Sequence, residues 1–194
     1  DPDKPIGRRL NALKAVCDPL VLNCPPPVSQ APAWPMLQRN AQRTGLADIS
    51  GPPFATSSAV TLKWQKDLGI ASNFSPLVGS QAVYVGTGSN LLAIDKTSGN
   101  QIWQANIPAG AVNGALGPDG TIYVCGLNSS NNQSTLTAVN PQNGQIKWQF
   151  VVGLFRPCNA PAVAQDGTIY TTIPPPLNSQ TSVVVAVNPD GAEK

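Results

Sequence analysis

The reactive side chains of this chain are four cysteines and ten carboxylates, with no histidine at all. Cys17, Cys24, Cys125 and Cys158 form no CxxC pair. That spacing, with no imidazole present, removes most zinc sites, the haem-attachment motif and every His-dependent triad. An even cysteine count fits two disulfides made in an oxidising compartment; free buried thiols are the alternative. The acids are equally uncatalytic in pattern. Asp119-Gly120, Asp166-Gly167 and Asp190-Gly191 are hairpin-turn pairs, and Asp95 opens the turn Asp95-Lys96-Thr97-Ser98-Gly99. In such places a carboxylate bonds its own turn backbone. No acidic cluster suited to calcium is visible. We therefore expect no catalytic, cofactor-binding or metal-binding residue here.

Elements that could position such turns repeat along the chain. Residues 93–103 read Ala-Ile-Asp-Lys-Thr-Ser-Gly-Asn-Gln-Ile-Trp, and residues 138–148 read Ala-Val-Asn-Pro-Gln-Asn-Gly-Gln-Ile-Lys-Trp. Residues 186–194 read Ala-Val-Asn-Pro-Asp-Gly-Ala-Glu-Lys. A recurrence of about 40–47 residues, with strand-like blocks and Gly turns inside each unit, marks β-propeller blades. All three tyrosines (Tyr84, Tyr123, Tyr170) fall at one position of the unit, and Trp64, Trp103 and Trp148 at another.

The repeat predicts an all-β fold of four-stranded antiparallel blades, about three of them, over residues 34–194. The units run over about 66–105, 106–150 and 151–194. Strands are expected at 75–78, 82–86, 90–95 and 101–104; at 114–116, 120–124, 136–139 and 145–148; and at 160–163, 167–171 and 182–187, the third unit having no fourth strand. Val60-Thr61-Leu62-Lys63-Trp64 reads as a ring-closing or preceding-blade strand. Residues 1–33 read as a leader. Ile6, Leu10 and Leu13 are spaced for a short helix, or mark a frayed terminus, and six prolines between Cys17 and Pro35 favour an extended linker.

Composition narrows the class of function. Charged residues are 11%, Gly 17 and Pro 20, a turn-rich, low-charge pattern of secreted or envelope β proteins. The net charge of +2 carries no basic stripe interleaved with aromatics, so no nucleic-acid partner is expected. No run approaches the ~20 apolar residues that cross a bilayer. The start, Asp1-Pro2-Asp3, has no Met and no signal-peptide pattern, as in a processed or excised product.

The Ala-x-Asp-x-x-x-Gly-x-x-x-Trp spacing resembles the tryptophan-docking motif of the pyrroloquinoline-quinone-like (PQQ-like) β-propeller repeat family. Ala93, Asp95, Gly99 and Trp103 match it best, with Ser98 where the family often has Thr. Ala138, Asn140, Gly144 and Trp148 follow, with Asn for the Asp; Asn188 begins a turn shorter by one residue. The resemblance implies that each Trp, Trp64 included, packs between neighbouring blades and that its indole N–H meets a backbone acceptor. Trp34-Pro35-Met36 and Arg43-Thr44-Gly45 look like the entry segment of secreted bacterial, BamB-like members.

Quinone-binding members need about eight blades, a calcium ion and an axial Asp, and many carry a vicinal Cys-Cys pair, which is absent here. Other members carry the repeat and bind no quinone. Blade geometry places Cys125, ending the second strand of unit two, near Cys158, which precedes the inner strand of unit three. The expected disulfides are Cys125–Cys158, from this geometry, and Cys17–Cys24, which would close a small loop in the leader. Three blades do not close a ring, so a longer protein seen in part, a fragment held by partners, or associating arcs are the expectations.

These readings converge on a non-enzymatic scaffold that binds other protein subunits of an envelope or extracellular assembly: periplasmic, cell-surface or secreted. Its binding loops would include Asn128–Asn132 and Pro174–Pro176. The runner-up is the N-terminal part of a PQQ- and calcium-dependent dehydrogenase. A third reading, carbohydrate or surface adhesion, would need exposed aromatics. Trp34, Phe54, Phe74 and Phe155 are the candidates outside the repeat, and core packing is the expected fate of all four.

Overall fold

The computed structural model describes residues 61–107, 110–128, 130–173, 175 and 181–194, all within one compact unit. The leader, its expected helix, Cys17–Cys24, the Trp34 lead-in, Phe54, Pro174 and Pro176 lie outside the described residues.

The described chain is all strand and turn. β1 (Leu77–Val78), β2 (Ala82–Thr87), β3 (Asn90–Asp95) and β4 (Gln101–Asn106) form one antiparallel sheet in sequential order. β5 (Gly110–Leu116), β6 (Ile122–Asn128), β7 (Gln133–Val139) and β8 (Ile146–Leu154) form the second the same way. β9 (Ala162–Val163), β10 (Ile169–Ile173) and β11 (Val183–Val187) form the third. A bridge between Val187 and Glu193 turns the chain back alongside β11. The fold is a partial β-propeller of three radial blades.

β6 and β7 are buried on both faces, and successive side chains point to opposite sides of a strand. From β6, Ile122 and Val124 join the core shared with the first sheet, where Phe74, Leu77, Tyr84, Leu91 and Leu116 also lie. Tyr123 and Cys125 of the same strand enter the core shared with the third sheet, among Ala115, Leu136, Val163, Ile169 and Val187. The second blade is thus a layer between two others.

Residues 61–64, expected as part of a strand, form none. They have no ladder partner among the described residues; the Trp64 indole bond to Lys96 O and the attraction of Lys63 for Asp95 tie this segment to the first blade.

Candidate functional site: blade junctions and the end of the second blade

A bulge aims each docking tryptophan. In the first blade Ala93 pairs with Trp103 and Ile94 with Gln101, leaving Ile102 as the extra residue. In the second Ala138 pairs with Trp148 and Val139 with Ile146, leaving Lys147. A bulge on one strand re-aims the side chain beside it. Opposite the indole, Ala93 and Ala138 are fully buried, and any larger side chain would fill its space. Tyr84 and Tyr123 lie beside these rings, with centroids 5.8 Å from Trp103 and Trp148 respectively.

Each indole then reaches the next blade. Trp64 Nε1 donates to Lys96 O at 3.0 Å, Trp103 to Pro141 O at 3.0 Å, and Trp148 to Pro189 O at 2.9 Å. All three acceptors lie in the turn that follows a third strand. The Gly of that turn meets the ring face. A Cβ on Gly99, Gly144 or Gly191 would come within 2.9, 2.7 or 2.8 Å of indole carbons, and each has φ between +74° and +91°. Two independent demands, a left-handed backbone and no Cβ, therefore fall on one residue. Asp95 Oδ1 accepts from the backbone of Thr97 and Ser98, and from the Ser98 hydroxyl. Asn140 keeps one such bond, from Gln142 N. The shorter third turn closes with Asn188 N–H on Ala192 O rather than five residues on, as in the first two.

The other acids also hold turns. Asp119 accepts from Thr121 N and Oγ1, and Asp166 from Thr168 N and Oγ1. Lys147 and Lys194 reach across to these Thr hydroxyls and, at 3.6 and 3.1 Å, to the carboxylates. The carboxyls titrate accordingly. Asp166 is held down to about 2, first by the Thr168 N–H, then by its hydroxyl and Lys194. Asp95 is lowered by the Ser98 N–H, the Ser98 hydroxyl and the Thr97 N–H. At Asp119 burial pushes upward, but the Thr121 bonds and Lys147 outweigh it and the net shift is down. Burial raises Tyr123 to about 12, helped by nearby Asp119. Among the described residues no three His, Cys, Asp or Glu side chains converge as a metal-binding set.

Cys125 and Cys158 are joined, with Cα atoms 5.7 Å apart, which staples β6 to the segment entering β9. At the far end of the second blade the regularity breaks. Asn132 (φ +56°) and Phe155 (φ +65°) face each other across the end of the β7–β8 pair, and Phe155 N–H donates to Asn132 O at 2.7 Å. Buried Ser134 donates to Arg156 O and pins the same segment. Phe155, expected in the core, is instead 57% exposed, beside exposed Leu154; Phe74 is buried. Phe155 lies just past the end of β8, in this left-handed turn. Asn132 has a sequence signal, since Asn tolerates that conformation; Phe155 has none.

Comparison with known proteins agrees with this architecture. Residues 55–117 match the family model described as outer membrane protein assembly factor BamB. Quinohemoprotein alcohol dehydrogenase from Comamonas testosteroni matches with a TM-score of 0.66 at 19% identity, over 84% of this chain and 26% of that one. BamB from Moraxella catarrhalis matches with a TM-score of 0.49 at 17% identity, over 69% of this chain and 39% of that one. The chain thus spans well under half of either protein. No curated protein matches it.

Proposed function

We propose, from the premise that this chain carries the PQQ-like β-propeller repeat, that it is a non-enzymatic scaffold which docks another protein in the bacterial envelope or outside the cell. The family model bearing the name of an outer-membrane assembly factor supports this reading. So does the Cys125–Cys158 disulfide, a bond favoured in oxidising compartments. No helix among the described residues is long and apolar enough to cross a membrane.

The observation that carries the proposal is Phe155. A bulky residue in the left-handed region costs of order 1–2 kcal/mol, and such strain clusters where a side chain has work to do. Here it displays an aromatic ring beside Leu154 and the amide-rich loop Asn128–Gln133. Aromatic anchors of that kind dominate protein interfaces. Of the loop Asn128–Asn132, the described residues Asn128, Asn131 and Asn132 belong to this docking surface, with Leu154 and Phe155 added to it.

A photo-crosslinking residue at position 155, in cells of the source organism, tests the assignment. One defined protein should be captured there and not from exposed Gln104 on β4. Phe155→Asp should then weaken the purified complex about 30-fold, the scale of a hot-spot residue. Identical capture at both positions, or unchanged affinity, would reject the surface. Dye-linked alcohol or sugar oxidation after loading with PQQ and calcium would instead favour a dehydrogenase.

A further inference from the structure

The left-handed turn that presents Phe155 is tied down just beyond itself. Phe155 N–H donates to Asn132 O, and buried Ser134 of β7 donates to Arg156 O. Three residues on from Phe155, Cys158 is bonded to Cys125 of β6. Asn159 then lies against β10. Its N–H donates to Thr172 O, its side-chain amide donates to Thr172 Oγ1, and its carbonyl accepts from Thr171 Oγ1. The segment is thus held by the second blade on one side and by the third on the other.

The link between the disulfide and the turn is stiff. Pro157 has its φ fixed by its own ring, and Arg156, which precedes it, is steered away from helical backbone. Two restricted residues therefore separate Phe155 from Cys158, and where Cys158 is fixed the path back to Phe155 has little freedom. The hydrogen bonds of this segment compete with water, because Phe155, Arg156 and Asn159 are exposed. The covalent bond does not. A strained residue persists where its surroundings over-determine it, and the disulfide is the tether here that thermal motion cannot open.

We propose, resting on the reading of Phe155 as a docking residue, that the Cys125–Cys158 bond holds this residue in its left-handed, outward conformation. The docking surface then forms only in chains that fold where thiols are oxidised. The bond is made by exchange. One cysteine thiolate attacks the disulfide of an oxidised dithiol catalyst, and the other displaces the catalyst, which leaves as a dithiol carrying the two electrons and two protons. Both half-cystines are then buried, 1% and 3% exposed, which closes the bond to an incoming thiolate. The state of the surface is therefore set as the chain folds. A chain that misses the bond keeps its tryptophan-docked blades, while Phe155 relaxes to the negative φ that a bulky residue prefers.

The test compares the isotopically labelled full chain with Cys125→Ala/Cys158→Ala. A left-handed residue brings its own N–H and Hα together and gives a strong intraresidue cross-peak. Phe155 should show that cross-peak in the intact chain and lose it in the variant, while the indole N–H signals of Trp103 and Trp148 stay where they are. Affinity for the protein captured at position 155 should fall about tenfold, as when the competent conformer becomes a minor population. An unchanged cross-peak would overturn the proposal. So would a relaxed turn with unchanged affinity, where Phe155→Asp does weaken the complex. Where Phe155→Asp changes nothing or no protein is captured, the docking assignment itself has failed, and the cross-peak alone decides whether the bond holds the turn. If the alanine variant loses its native chemical-shift dispersion, Cys125→Val/Cys158→Ala, which refills buried volume without a bond, takes its place. Unfolding of both variants would overturn the proposal, because the bond would then hold the blades rather than the turn.

Discussion

The turns that receive the tryptophans and the opposite end of the second blade obey different rules. At the docking turns the same three demands recur: an alanine under the indole, a glycine against its face, and a backbone carbonyl for its N–H. At the other end the first blade turns tightly through Gly88-Ser89, with Gly88 at φ +58°, whereas the second extends β8 to nine residues and turns through Asn132 and Phe155. Positive φ is met by glycine in the first set and by an asparagine and a phenylalanine in the second. Repetition here records packing, and the departure from it falls where we propose docking.

Removing an indole should break the comparison most severely. Trp103→Ala opens a space between the first and second blades and strands the Pro141 carbonyl, so we expect a loss of about 3–5 kcal/mol in urea unfolding. The equivalent loss at the strained end, Phe155→Ala, should be under about 1 kcal/mol, because the ring is mostly in solvent. Equal losses at the two sites would mean that Phe155 packs rather than presents. Next in size is the staple. Its half-cystines are separated by 33 residues, and by loop-closure entropy Cys125→Ala/Cys158→Ala should cost about 3–4 kcal/mol, read as a lower midpoint with and without reductant.

Much of the first region can be read directly from the residue order. Tyr84, Tyr123 and Tyr170 mark the second strands, and Trp103 and Trp148 the fourth, because a wedge between radial sheets accepts a large flat group at only one depth. The expected strands 82–86 and 90–95 therefore fall close to β2 and β3. The limits of β8 are less legible: its expected stretch of 145–148 grows to Ile146–Leu154, since Phe150 and Val152 pack on the third-blade side, a long-range contact that no local pattern encodes. The 61–64 segment fails as a strand for the same reason. Its residues have strand character, but a strand needs a ladder partner, and an indole can dock without one.

Gly144→Ala is a sharper probe of the docking turn than loss of the tryptophan, since it removes nothing. The added methyl must sit 2.7 Å from a carbon of Trp103 on a backbone at φ +74°, so destabilisation should be about 2 kcal/mol. At Gly120, also left-handed at φ +83°, the nearest atom to a new Cβ is 3.8 Å away. Gly120→Ala should therefore cost only the conformational part, about 1 kcal/mol. The difference between the two variants isolates the indole contact.

Acid should loosen the turns in a defined window. Asp95, Asp119 and Asp166 all have lowered folded-state pKa values, so the unfolded chain binds more protons and stability falls as pH drops. The contribution is complete above about pH 4 and is lost as pH falls towards about 2, where Asp166 itself titrates. Asp166→Asn should flatten that part of the stability profile. These pairs face solvent, so the effect should be small and reduced further by salt.

The smallest expected change carries the most information. Phe155→Gly relieves a left-handed phenylalanine and should leave stability unchanged or raise it by up to about 1 kcal/mol, the relief being partly offset by glycine's larger entropy in the unfolded chain. At a docking turn the same reasoning gives the opposite sign, because glycine is already there and any side chain meets an indole. A stabilising Phe155→Gly that also abolishes partner capture would show that the ring is kept at the expense of the fold. If the variant is instead destabilised by more than about 1 kcal/mol, Phe155 contributes to packing, and the two ends of the second blade follow one rule after all.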